Sequence, residues 1–333
     1  MKSLHRFASQ HADFIHDMSF DFYGKRLATC SSDRKIKIWE MDDNKQWQVQ
    51  SEWTAHQASV WKVAWAHPEF GQIVASCSFD RTVIVWEESL SKPPPSLPLS
   101  TVSSISSSQF HGEGPGPLSS QPWTLQATLT DSRESVHDVK FAPRHLGLRL
   151  ATASADGYIR MYEAANPMNL SEWTLPENFL ADVDGATCLS WNSSRFDIPT
   201  ILVGGNSNVA KVWGYNSTRQ WHVIAELVGH TDIIHDVAWA PNLGRSCHWL
   251  ATASKDRTIR IWKLKLNSPS RQELSEVVQV TTKDHGAFEV WRVQWNVTGT
   301  MLASTGDDGT VRMWQQDHKQ QWQCVSSVCG ELA

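Results

Sequence analysis

No stretch of the 333 residues is long and apolar enough to span a bilayer, and Met1 to Gln10 holds no apolar run of the kind a secretory leader needs. Membrane insertion is therefore not expected. The net charge is only −5, and no cluster of Lys or Arg alternates with aromatics, so direct nucleic-acid binding is not expected either. The six cysteines (Cys30, Cys77, Cys188, Cys247, Cys324 and Cys329) are scattered without a Cys-x-x-Cys pair. Cys30 and Cys77 fall in apolar runs, where a reduced thiol packs as a small hydrophobe. A unique nucleophile, a Gly-rich phosphate loop and a metal motif are all lacking. These absences predict a protein without catalytic residues, cofactor or metal.

What the chain has in excess is tryptophan, 18 in all, and much of it recurs in one pattern. That pattern reads LATCSSDRKIKIW (Leu27 to Trp39), VASCSFDRTVIVW (Val74 to Trp86), LATASADGYIRMY (Leu150 to Tyr162), LVGGNSNVAKVW (Leu202 to Trp213), LATASKDRTIRIW (Leu250 to Trp262) and LASTGDDGTVRMW (Leu302 to Trp314). Each unit reads as a hairpin: an apolar strand, a polar turn and a second strand of β-branched residues ending in an aromatic. An Asp stands six residues before that aromatic in five units (Asp33, Asp80, Asp156, Asp256 and Asp308), and Ser207 replaces it in the fourth. Asp suits the turn because its carboxylate accepts nearby backbone N–H groups. A further short strand precedes each hairpin and another follows it, the last often opening on Trp: Trp47, Trp123, Trp173, Trp221 and Trp322. In the fifth unit that strand is expected from Glu276 to Val280. Four strands per unit, with units about fifty residues apart, predict an all-β propeller of six four-stranded blades.

A His before the first strand, a Ser two places before the Asp and the closing Trp resemble the structural tetrad of the WD-repeat family. His11, Ser31, Asp33 and Trp39 match it, as do His56, Ser78, Asp80 and Trp86, and His230, Ser254, Asp256 and Trp262. The third unit has Ser132 for His and Tyr162 for Trp, the fourth lacks both His and Asp, and the sixth has His285 one place early and Gly306 for Ser. A catalytic triad is needed once, whereas a hydrogen-bonded stiffener is needed in every blade, so recurrence makes the set structural.

The repeat is interrupted between Ser89 and Pro122 by Ser, Pro and Gly, a composition that buries too little apolar surface to offset its ordering entropy. We expect residues 89–122 to be a disordered loop within blade 2 of a single domain spanning 1–333. Rings of this family usually close by lending the N-terminal strand to the last blade. Here Trp322 to Val328 already supplies that outer strand, yet the N-terminus offers another around Leu4 to Ala8. The count is one strand too many for six blades and three too few for seven. The ring either closes with one end loose or stays open at a seam that includes Leu4 and Phe7. An open seam invites strand addition by another chain.

Longer segments narrow the resemblance: Ile15 to Asp33, Val60 to Thr82, Asp131 to Gly157, Met168 to Trp173, Ala240 to Ser246 and Val290 to Gly309 are similar to the WD-repeat nucleoporins of the Seh type, homologues of the Sec-thirteen coat protein. The resemblance covers nearly the whole chain outside the Ser/Pro insert. It implies an open propeller completed in trans by an insertion blade from an α-solenoid nucleoporin. It also implies association with other subunits of the Y-shaped complex of the nuclear pore, at the nuclear envelope, in support of mRNA and protein transport. A SEA/GATOR-type complex in TORC nutrient signalling, at the lysosomal or vacuolar surface, is a further implied setting. The alternative is a peptide-reading adaptor, such as a ubiquitin-ligase substrate receptor, that binds at the channel mouth. Finally, three first strands carry an identical pair, His16–Asp17, His137–Asp138 and His235–Asp236, and two others carry Trp61–Lys62 and Trp291–Arg292. Pairing of Asp with Lys or Arg across blades is expected there in preference to a metal.

Overall fold

A computed structural model describes residues 7–89, 122–265 and 276–330. Within them the chain forms six antiparallel sheets, each of four strands consecutive in sequence. The first strands of neighbouring sheets pack on one another in series, Ile15–Phe20 on Val60–Trp65, then Val136–Phe141, Ala186–Trp191, Ile234–Trp239 and Val290–Trp295. The result is a six-bladed β-propeller with these first strands innermost. The expected loop of 89–122 lies almost wholly outside the described residues; its roots, Ser89 and Pro122, are joined by a backbone hydrogen bond of 2.6 Å.

The hairpins form where the repeat places them. Leu27 pairs with Trp39 and Val74 with Trp86 across the central two strands. In blade 4 the partner of Trp213 is Ile201, so that hairpin begins one residue earlier than the sequence pattern suggests. The central strands are apolar on both faces because a blade is covered on both sides; all six residues of Ile73–Ser78 are buried. The turn after each Asp needs a left-handed residue. Arg34, Arg81 and Arg257 take φ values of 69°, 69° and 70°, and Gly157 and Gly309 fill the same place in blades 3 and 6. Trp47, Trp123, Trp221 and Trp322 each open an outermost strand, but Trp173 lies inside the long strand Asn169–Leu180, and the fifth outer strand runs from Glu276 to Asp284.

Each innermost strand slips register by one residue after its first position, as between Ile15 and Asp17. The bulge turns the second residue aside and aims the third at the axis. The repeated His-Asp pair follows from this: His16, His137 and His235 are bulge residues, whereas Asp17, Asp138 and Asp236 point inward.

Buried apolar residues knit blade 1 to 2 (Ile38 and Trp86), 2 to 3 (Val83 and Tyr162), 3 to 4 (Ile159 and Trp213), 4 to 5 (Val212 and Trp262) and 5 to 6 (Ile261 and Trp314). Among the described residues no such cluster joins blade 6 to blade 1. The contact between their innermost strands, Val290–Trp295 and Ile15–Phe20, is weaker than at any other blade junction. Val311 and Met313 of blade 6 are only half-buried, although their counterparts Ile36 and Ile38 in blade 1 are fully buried. No N-terminal strand joins the sheet of blade 6 among the described residues. Phe7 and Ala8, the described end of the outer strand expected around Leu4 to Ala8, are not in a strand, and Leu4 lies outside the described residues.

Candidate functional site: the clasps, the central ring and the seam

In blades 1, 2 and 5 the Nδ1–H of the histidine donates to the turn aspartate: His11 to Asp33 at 2.8 Å, His56 to Asp80 at 2.9 Å and His230 to Asp256 at 2.7 Å. The other ring nitrogen meets a hydroxyl, and the closing tryptophan donates its indole N–H to that same hydroxyl. That hydroxyl belongs to Thr29, Ser76 and Thr252, with histidine distances of 2.9, 2.8 and 2.7 Å and an indole distance of 3.0 Å in each blade. The chain of bonds is self-consistent with Nδ1 protonated and Nε2 accepting from the hydroxyl. Ser31, Ser78 and Ser254, which the sequence singled out, do something else. Each accepts the N–H of its turn aspartate at 3.1 Å and donates to a carbonyl of the loop before the innermost strand.

These clasps fix the charge state of the aspartates. Burial by itself would raise the Asp80 carboxyl, but the hydrogen bonds from His56 and Thr82 outweigh it and hold the group far below the usual carboxylate range. Asp256 behaves alike through His230 and Thr258, and Asp33 is lowered in the same direction. Blades 3 and 6 hold the turn aspartate with an arginine instead. In blade 3, Arg160 reaches Asp156 at 2.6 Å and Ser154 at 2.7 Å and holds the carboxyl, against burial, at about 2. In blade 6, Arg312 binds Asp308 at 2.7 Å, while His285 meets only Ser304, at 2.7 Å. Blade 4 inverts the arrangement. Asp182 stands four residues before its innermost strand, the place of His11, and accepts from the Ser207 hydroxyl at 2.5 Å and the Ser207 N–H at 3.1 Å.

The third residues of the innermost strands form a ring of three acids, two bases and a thiol: Asp17, Lys62, Asp138, Cys188, Asp236 and Arg292. Lys62 lies between Asp17 at 3.9 Å and Asp138 at 4.0 Å. Burial would lower the Lys62 ammonium, but these two carboxylates raise it. The carboxylates also lock blade to blade by accepting the N–H of Val63, Leu189 and Val293, at 3.3, 2.9 and 3.0 Å. Among the described residues no three or more His, Cys, Asp or Glu side chains are grouped to hold a metal ion. The thiols of Cys30, Cys77 and Cys188 are buried, and burial pushes each one up, out of the reactive range.

At the junction of blades 6 and 1, Arg292 donates to the His16 carbonyl at 3.0 Å beside the axis. Farther out, Met18 is 65% exposed and Phe20 53%, whereas residues at matching places in blade 2, Val63 and Trp65, are covered by blade 1. Phe7, itself partly exposed, packs on Trp39 and Trp47 at ring-centroid distances of 4.9 and 6.2 Å and shields Trp39, which would otherwise face the junction bare.

Six repeated blades, three of them closed by His–Asp clasps, define a WD-repeat β-propeller, and the WD domain, G-beta repeat family matches residues 1–40, 47–87, 221–263 and 276–315. The longest unmatched stretch, residues 88–220, includes blade 3 and the first three strands of blade 4, where arginine or an inverted pair replaces the histidine clasp. The chain is 45% identical to Nucleoporin SEH1-A of Xenopus laevis, over 97% of this chain and 88% of that protein. It is 45% identical to Nucleoporin SEH1 of Homo sapiens over 97% and 87% of the two chains. Against Nucleoporin SEH1 of Danio rerio it is 43% identical over 97% and 86%. The chain belongs to the SEH1 family of WD-repeat nucleoporins. Fold and family together point to a non-catalytic structural protein.

Proposed function

We propose that this protein is a scaffold subunit of the nuclear pore coat whose ring, open between blades 6 and 1, is completed in trans by β-strands from an α-solenoid nucleoporin. The nuclear-pore setting is supported by the names of the relatives. The carrying observation for the open seam is the exposed apolar face of Ile15, Met18 and Phe20, set opposite the half-buried Val311 and Met313. At every other junction that surface is sandwiched between blades. Covering an apolar side chain of this size contributes about 1.5–3 kcal/mol, so a few of them are enough to hold a partner strand. On this reading residues 1–333 act as one propeller domain, and Leu4 and Phe7 border the seam. Other Y-complex subunits then assemble around the pair at the nuclear envelope, in support of pore assembly and of mRNA and protein transport. The same seam serves a SEA/GATOR-type complex in TORC signalling at the lysosomal or vacuolar surface.

Affinity purification of the tagged chain from cells with intact nuclear envelopes, followed by mass spectrometry, tests the reading. Pore scaffold subunits are expected with the native chain. They are expected to be lost with Met18→Asp/Phe20→Asp, and also with Phe7→Asp, while circular dichroism shows the propeller still folded. Recovery of ubiquitin-ligase components alone, or full recovery of pore subunits by the seam variants, overturns it.

A further inference from the structure

Blades 2 to 5 carry, on the loops between their first and second strands, a basin of about 520 Å³. Its walls include Glu69, Arg144, His145, Ser194, Arg195 and Phe196. These blades lie away from the seam between blades 6 and 1, so a ligand here does not compete with strands added there.

The charges around the basin do not cancel. Glu69 is engaged by Arg144 at 3.6 Å and by His67 at 3.5 Å. The other nearby carboxylate, Asp197, is turned into the blade and held by Asn192 at 3.1 Å and His248 at 3.3 Å. Arg195 follows a turn fixed by Asn192 and Ser194 and has no carboxylate partner among the described residues. Its guanidinium instead lies 5.1 Å from the ring centroid of Phe196, which is 86% exposed. Arginine and phenylalanine stacked in water, beside a second exposed arginine and a cavity, offer a bidentate anion clamp next to an apolar platform. Neither group is used by the propeller core.

We propose that this basin docks an extended acidic segment of a partner protein, with carboxylates on Arg195 and Arg144 and an apolar or aromatic side chain on Phe196. Charge complementarity selects the occupant: the basin presents two guanidinium groups and an imidazole against one carboxylate that is already paired. The proposal is independent of the seam, because it concerns different blades and a different chemistry.

The test is fluorescence anisotropy with the full chain and a fluorescein-labelled peptide of Asp, Glu and Phe, alongside the same peptide with Lys at each acidic position. Saturable binding of the acidic peptide alone is expected, weakening as salt is raised. Arg144→Glu/Arg195→Glu should weaken it by about tenfold or more, and Phe196→Ala by a smaller factor. All three side chains are at the surface, so the thermal melt should be unchanged in both variants. Absence of saturable binding overturns the proposal, as does equal binding by the arginine double variant or by the Lys peptide. None of these results bears on assembly at the seam, which Met18→Asp/Phe20→Asp probes separately.

Discussion

The Oδ2 of Asp182 lies 2.5 Å from the hydroxyl of Ser207, so blade 4 keeps the clasp of its neighbours with the acid and its partner exchanged. In blades 1, 2 and 5 the turn provides the carboxylate and the preceding loop provides the donor. Here the loop provides the carboxylate, which also accepts the N–H of Ser207 at 3.1 Å and of Asp184 at 3.0 Å. Asp182 is almost fully buried, and its removal takes the acceptor from three donors, two of them on the half-buried Ser207. We expect Asp182→Ala to destabilise the chain by about 1–3 kcal/mol, and Asp182→Asn by less, because the amide oxygen still accepts. Urea unfolding followed by tryptophan fluorescence measures both. An unchanged midpoint in Asp182→Ala would mean that the inverted clasp carries no load.

Blade 6 gives the fold a pH dependence of definite sign. Burial, and after it the Arg312 guanidinium, lowers His285 from its ordinary 6.5 to about 4. Below pH 6.5 the unfolded chain takes up a proton that the folded chain refuses, so stability falls as the pH drops, and this contribution levels off below about 4. His16, His137 and His248 are lowered in the same direction by burial and add to the slope. The clasp aspartates act in a lower window. Their folded values lie below the ordinary 3.8, so their contribution is lost only as the medium becomes more acidic than that. His285→Gln should therefore make the decline between pH 6.5 and 4 shallower and leave the steeper loss below pH 4 intact. Chemical denaturation at a series of pH values reads this out. An identical slope in the two proteins would show that His285 titrates normally in the folded state.

The repeat made most of this architecture legible. Each hairpin carries its own boundary markers, the turn Asp and the closing Trp, and each strand order follows from chain order. What the pattern could not separate was Thr29 from Ser31. They are two residues apart and share a face of one strand, so alternation treats them alike. Cross-strand register decides, because Trp39 reaches back to Thr29 and not to Ser31. Similarly, Asp182 escaped notice because the pattern looked for His at that place, although its spacing of four residues to Ala186 equals that of His11 to Ile15. Arg160 and Arg312, two residues before the closing aromatic, take the place of histidine at the turn Asp through a contact along one strand that side-chain type alone does not announce. The strand count left the meeting of blades 6 and 1 undecided, and the exposed face of Met18 and Phe20 depends on which blade stands opposite, which is a property of the whole ring.

Lys62 is the most consequential charge at the axis. Its ammonium is buried between Asp17 and Asp138, the latter fully buried, and the long separations of 3.9 and 4.0 Å mean that it acts through its field more than through hydrogen bonds. Replacing it with methionine keeps the volume and takes from Asp17 and Asp138 the ammonium between them, leaving Arg292 as the ring's one remaining base. Breaking a buried pair in this way costs about 3–5 kcal/mol, whereas removing the charge on both sides costs much less. Lys62→Met should therefore lower the thermal midpoint sharply. Lys62→Met/Asp138→Asn should recover much of the loss, because an asparagine oxygen can still accept the Leu189 N–H that Asp138 now binds at 2.9 Å. If the double variant melts no higher than the single one, the penalty lies in packing rather than in the unpaired acids, and the ring is a steric device, not an electrostatic one.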